Sequence, residues 1–338
     1  MGIGKKNYDE QIDPHRIIFF KNPKEIISLC CGSLFCICIC KNGVFSWGNN
    51  KNGELGIGNN KNQYSPQRIE FFQNSDEIIS ISCGDSFCVC VCNNGVFSWG
   101  DNKFGQLGIG HQIAQYYPQQ IKFFNNSKKF IFLYCGSQFC VCVYEDGVFS
   151  WGNNNFGQLG IGNKDNQYFP RKIGFFENPK EIISLCCGSV YCVCICKNGV
   201  FSWGFNIYGQ LGIGNQIEQS SPQQIEFFKN PEEIISLSCG SDFCICICKN
   251  GVYRWGSNDY HQIQSGFGLC FISPRPILFE NEIESFLDLS FPRSSIDPFK
   301  KIKILLLILA REHLDPEEYL MGKDYLPGDM FKILLNFI

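Results

Sequence analysis

Histidine is scarce in this chain: four residues in 338, at His15, His111, His261 and His313, scattered singly. None stands beside a cysteine cluster, and the cysteines follow C-x-C spacing with no CxxC knuckle, so the ligand pattern of a zinc site is missing. No Ser-His-Asp or Cys-His set, carboxylate pair or HExxH helix emerges. No catalytic residue, metal or cofactor is therefore assigned, and the chain reads as a non-enzyme. Excess positive charge is lacking too: a net charge of −3 and a pI near 5.9 offer no field for phosphate backbones, which argues against nucleic-acid binding as the main activity. Long apolar runs are absent. The longest aliphatic stretch, Ile304 to Ala310, is far too short to span a bilayer, and the opening MGIGKKNYDEQ lacks the apolar core of a signal peptide. Gly2 is followed at position 6 by Lys6, where a myristoylation motif wants Ser or Thr. These absences predict a soluble intracellular protein with no membrane partner, cytoplasmic, with the nucleus left open.

What is present is periodic. Trp47, Trp99, Trp151, Trp203 and Trp255 are all the tryptophans of the chain and stand 52 residues apart. Gly32, Gly84, Gly136, Gly188 and Gly240 keep the same step, as do the prolines from Pro14 to Pro274. Residues 14–291 are thus a tandem array, preceded by a tail, 1–13, and followed by a segment of different composition, 295–338. A hydrophobic content of 44% suffices for a large core. The 22 cysteines lie mostly in alternating strands such as FCICIC, at Cys36, Cys38, Cys40 and their images. Neighbours two apart on one strand face are badly oriented to bridge each other, so they are read as small buried hydrophobes.

One unit, residues 222–273, suggests four short strands: Ile225 to Phe228, Glu233 to Ser238, Phe243 to Cys248 and Gly251 to Trp255. Tight Asn-Gly or Asp-Gly turns join the last two, as at Asn42-Gly43, Asn94-Gly95 and Asp146-Gly147. A single blade of this kind cannot bury both faces and must stack on neighbours. The reading is an all-β fold, a β-propeller of four-stranded antiparallel blades with five full repeats, a partial sixth and a short α-helical C-terminal segment.

After the fourth strand the chain reads WGNNKNGELGIGN, WGDNKFGQLGIGH, WGNNNFGQLGIGN and WGFNIYGQLGIGN, from Trp47, Trp99, Trp151 and Trp203. This resembles the regulator of chromosome condensation repeat. The resemblance implies a propeller, commonly seven-bladed, whose members act as nucleotide exchange factors for small GTPases or as interaction modules beside ubiquitin-ligase domains. The chain departs from the pattern in having five complete units and a strictly even period with no room for an inserted wedge. It also has Phe35, Phe87, Phe139, Tyr191 and Phe243 where the family usually has histidine. These departures count against exchange activity.

The GQLGIG run lacks a following Lys-Ser/Thr and recurs, so it is architecture; Asn50, Asn102, Asn154, Asn206 and Asn258 are expected to fix turns there. The tryptophans are expected between adjacent blades. Positions that vary between near-identical repeats are freer: Phe104, Phe156, Tyr208 and Tyr260 in one loop, Gln138 and Asp242 in another, are the protein-binding candidates. Beyond Pro292, Asp297-Pro298 and Asp315-Pro316 signal helix starts, and DYLPGDMFKILLNFI resembles the opening helix of an F-box. The expected function is a non-enzymatic protein-interaction propeller, a scaffold or adaptor. The alternatives are a guanine nucleotide exchange factor for a small GTPase, and a substrate adaptor of a ubiquitin ligase through the C-terminal helix.

Overall fold

The computed structural model describes residues 17–124, 130–258 and 270–277. Tight turns and alternating sequence fold the first unit into β1 (Ile26–Cys31), β2 (Phe35–Cys40), β3 (Gly43–Gly48) and β4 (Gln63–Arg68), antiparallel and in chain order. Four further sheets repeat this order, which gives five propeller blades among the described residues. Their first strands, Ile78–Cys83, Phe130–Cys135, Ile182–Cys187 and Ile234–Cys239, follow β1 and touch one another from blade to blade. These strands line the axis, and strands equivalent to β4 form the rim. No comparable contact returns from the first strand of blade 5 to β1 among the described residues.

The strand next to each proline differs from expectation. Gln219–Gln224 is the strand, with Pro222 buried inside it, whereas Ile225 to Phe228 forms a turn closed by Phe228 N–H donating to the Ile225 carbonyl at 3.2 Å. Ile17 to Phe20 forms the same turn, with Phe20 N–H donating to the Ile17 carbonyl at 3.3 Å. Proline is tolerated because the rim strand has no neighbour beyond it to need its missing N–H. The apolar Ile225 and Phe228 are buried all the same, as plugs thrust into the seam rather than as strand residues. Each rim strand thus completes the blade before it.

Register decides what the blades show each other. Cys88 pairs Trp99 and Cys90 pairs Phe97 across blade 2, so thiols and aromatic rings share one face. That face packs on Phe35, Ile37, Ile39, Val44, Leu55, Ile69 and Phe72 of blade 1, and the arrangement recurs at the later seams. The indoles therefore lie between adjacent blades, each facing the preceding one. Trp99, Trp151, Trp203 and Trp255 are fully buried and donate Nε1–H at 2.9 to 3.0 Å to the carbonyls of Glu54, Gln106, Gln158 and Gln210, each one blade earlier. Among the described residues no blade precedes Trp47, which is covered by Phe20, ring to ring at 5.8 Å.

The periodic glycines have a steric cause. A Cβ on Gly84 would lie 2.0 Å from the Phe87 ring and 2.6 Å from the Gly136 carbonyl of the next blade. Only glycine lets the strand end sit under the aromatic side chain while the neighbouring backbone approaches. Just beyond, a chain of backbone hydrogen bonds crosses the seams: Ser33 to Asp85, Asp85 to Ser137, Ser137 to Ser189 and Ser189 to Ser241, at 3.0 to 3.2 Å.

The thiol-bearing strands are buried as expected, and burial pushes the Cys88 and Cys244 thiols up to about 12. One pair departs from the reading of the cysteines as unbridged hydrophobes: Cys186 and Cys239 form a disulfide with a Cα–Cα distance of 5.9 Å. They belong to different blades, so the poor orientation of neighbours along one strand does not apply. The partial sixth repeat beyond residue 277 and the C-terminal helical segment expected at 295–338 lie outside the described residues.

Candidate protein-binding face

Two sets of loops share one face of the array: the turns that link first to second strands, and the long connections from third strands to the rim. They are tied together by Asn49 N–H to the Leu34 carbonyl, Asp101 to Ser86, Asn153 to Gln138, Phe205 to Val190 and Ser257 to Asp242, at 2.8 to 3.0 Å. Each of the four fully described long loops is built around a buried asparagine. Asn154 Oδ1 accepts from Leu159 N–H at 2.9 Å, while Nδ2 donates to the carbonyls of Asn163 and Asp165 at 2.9 and 3.1 Å. Asn50, Asn102 and Asn206 do the same in their blades. These side chains replace the backbone partners that an irregular loop lacks.

Six positions after the WG pair, a second buried side chain holds the loop from below. Gln106 Oε1 accepts from Phe104 N–H at 2.9 Å and its Nε2 donates to Asp101 at 2.8 Å. Gln210 Nε2 donates instead to Asp242 of the next blade at 3.0 Å. Gln158 is fully buried and accepts from Phe156 N–H, yet among the described residues its Nε2 finds no acceptor. The cause is local: Asn153 is turned to donate to Gln138 at 2.9 Å, and the next blade presents Val190 where blade 5 presents Asp242.

Blade 1 carries Glu54 at this position, fully buried, accepting from Asn52 N–H at 2.8 Å and from the Asn49 amide. Burial holds its carboxyl above the usual carboxylate range, against the lowering effect of these hydrogen bonds. Because the folded-state value is raised, stability is fully present below the unfolded value of about 4.3 and falls as pH rises through the folded one. Glu54→Gln, the residue found in the next three blades, is expected to raise the thermal midpoint by about 2–4 °C at pH 7, the size of a ~1 kcal/mol effect, and to lose this advantage below pH ~4. Calorimetry at the two pH values checks this; an equal gain at both would contradict it.

The structure brings some of the sequence candidates together and separates others. Phe156 lies against Phe205 of the next blade at 4.7 Å between ring centroids, and Phe205 lies 6.2 Å from Tyr208. Ile207, 45% exposed, stands on the same loop, so Phe156, Phe205, Ile207 and Tyr208 form one apolar patch across the seam of blades 3 and 4. Phe104 is half-buried in blade 2 with the Lys103 ammonium 5.5 Å over its ring. Gln138 and Asp242 are engaged with Asn153 and Gln210. Tyr260 lies outside the described residues. Phe205 and Ile207 were missed by sequence reasoning although the signal was there: their images are Asn49, Asp101, Asn153 and Ser257, and Lys51, Lys103 and Asn155. Among the described residues no group of three or more His, Cys, Asp or Glu could hold a metal ion, and no helix is long and apolar enough to cross a membrane.

Residues 1–289 match the family profile of the RCC1-like domain. The chain belongs to that family. It is 28% identical over 246 residues to the ultraviolet-B receptor UVR8 of Arabidopsis thaliana, covering 71% of this chain and 55% of the receptor. It is 29% identical over 251 residues to the E3 ubiquitin-protein ligase HERC2 of Homo sapiens, covering 72% of this chain and 5% of the ligase. The chain thus spans only part of the length of these relatives. Among solved structures, Prp20p of Saccharomyces cerevisiae superposes with a TM-score of 0.66 at 22% identity, covering 82% of this chain and 71% of that one. Human WBSCR16 gives 0.62 at 25% identity, covering 75% and 67%. The comparisons agree with the five blades in placing this chain among propellers of RCC1-type repeats.

The aromatic replacements of the family's histidines also find their place. Phe35, Phe87, Phe139, Tyr191 and Phe243 are at most 2% exposed. Tyr191 Oη donates to the Phe243 carbonyl of the next blade at 2.6 Å. These side chains pack beneath the loop face and take no part in its outer surface.

Proposed function

We propose that this RCC1-like propeller acts on a small GTPase through its long-loop face, as a guanine nucleotide exchange factor that reshapes its partner without chemistry of its own. The observation that carries the reading is the patch of Phe156, Phe205, Ile207 and Tyr208, an apolar spot at the seam of blades 3 and 4. Such a spot suits an apolar side chain of a protein partner. Similarity to Prp20p, a protein studied for its binding to Gsp1p, supports the GTPase class. The likeness to HERC2 supports a second reading, a docking propeller for a ubiquitin-ligase component.

The test is release of a fluorescent guanine nucleotide from a panel of small GTPases by the full chain. Release should accelerate for at least one GTPase, and the paired substitutions Phe205→Asp and Ile207→Lys should weaken that effect at least ~10-fold, the scale of losing one anchor, with the unfolding midpoint unchanged. Absence of acceleration across the panel, with retention of ligase components in a pull-down of the full chain, would transfer the case to the second reading.

A further inference from the structure

We infer that Cys30 and Cys83 form a second disulfide between blades, closing the seam of blades 1 and 2 as Cys186 and Cys239 close that of blades 4 and 5. At every seam the penultimate residue of one first strand meets the last residue of the next blade's first strand. The four pairs are Cys30 with Cys83, Ser82 with Cys135, Tyr134 with Cys187, and Cys186 with Cys239. Two contacts fix the geometry. Cys186 and Cys239 are bonded, with Cα atoms 5.9 Å apart, inside the usual bridging range. In the second seam Cys135 N–H donates to Ser82 Oγ at 3.0 Å, and its thiol to the Ser82 carbonyl at 3.5 Å, so a side chain at position 82 reaches the cysteine opposite.

Cys30 and Cys83 are the image of the bonded pair three periods earlier, with the same sequence separation of 53. Cys30 packs against the cluster that contains Cys83, and the nearby Cys83 thiol, with burial, pushes the Cys30 thiol well above its ordinary value. Thiols occupy both places at these two seams alone, and the two seams are the terminal ones of the described array. Blades 1 and 5 each have a described neighbour on one side only, so opening there breaks one seam instead of two. The crosslinks fasten each terminal described blade to its described neighbour.

The bond forms by exchange with a small-molecule disulfide such as oxidised glutathione. The thiolate of Cys30, the less buried partner, attacks one sulfur and displaces a glutathione thiolate, which takes up a proton. The Cys83 thiolate then attacks the Cys30 sulfur of the mixed disulfide and releases the second glutathione. Two protein thiols are oxidised and one small disulfide is reduced to two thiols. Cys88 competes for Cys83, with the two sulfurs 3.1 Å apart.

The full chain is equilibrated in a series of oxidised-to-reduced glutathione ratios, its free thiols are blocked, and linked peptides are identified by mass spectrometry. A Cys30–Cys83 peptide is expected over the same ratios, within about tenfold, as the Cys186–Cys239 peptide. Cys30→Ser should abolish it, leave the other link intact, and speed proteolysis within blade 1 under oxidising conditions while matching the reduced wild type otherwise. Serine at this place occurs naturally as Ser82 and Ser238, so the variant is suited to fold. Cys30 left free where Cys186–Cys239 is fully bonded, or Cys83 recovered linked to Cys88, would overturn the inference.

Discussion

Replacing Trp151 by alanine is expected to cost about 3–5 kcal/mol, the range for truncating a buried aromatic residue in a core. The indole is fully buried, its Nε1–H bonds the Gln106 carbonyl at 2.9 Å, and its ring lies 5.7 Å from that of Phe124. It also rests on Gly108, whose backbone has a φ of +68° and where a Cβ would come 2.8 Å from Nε1. Removing the ring leaves a cavity walled by two blades, and the seam cannot collapse while the sheets on either side hold their spacing. The comparison that isolates the seam is Trp47→Ala. Among the described residues Trp47 meets the short Ile17 to Phe20 turn and no neighbouring blade, so its removal is expected to cost markedly less. Urea midpoints of the two variants decide the matter. Equal losses would mean that the indole acts within its own sheet and that packing between blades contributes little.

Asn154→Ala is expected to cost about 2–4 kcal/mol by a different route. The side chain is fully buried, and its loss leaves Leu159 N–H and the carbonyls of Asn163 and Asp165 without their partner. An unsatisfied buried polar group costs about 1–3 kcal/mol, and water entering the loop recovers part of it. Asn155→Ala, one residue along and exposed, should stay within about 0.5 kcal/mol. Limited proteolysis adds a readout that global stability does not give: cleavage should appear between residues 155 and 166 in the first variant and not in the second. Cleavage elsewhere, or none, would show that the asparagine is not what orders the loop.

Much of this architecture was legible because the chain repeats itself. The spacing of the tryptophans and glycines located the blades, the Asn-Gly turns located the hairpins, and the buried asparagines followed from the chemistry of irregular loops. The sequence left open which neighbour each indole faces, since a period of 52 reads the same in both directions. Pro222 misled the placement of the rim strand because a strand without an outer neighbour relaxes the rule against proline. Phe205 and Ile207 were hidden by attention to position 208 alone, although both break the pattern more sharply than Tyr208 does. The Cys186–Cys239 link depends on the stagger between blades, which no single strand reveals. Tyr260 and the segment beyond residue 295 stand outside the described residues.

The placement of the rim strand bears on how such a protein changes length over generations. A sheet is completed by residues that follow the long loop, and the chain then runs through the Ile-to-Phe turn straight into the neighbouring sheet. Every seam joins the same two kinds of surface. A duplication or deletion of one whole period, begun at any point in the unit, restores matching surfaces on both sides of the junction. A gene of this kind can gain or lose blades by unequal recombination without inventing an interface, whereas a change of any other length would put an aromatic face against the wrong partner.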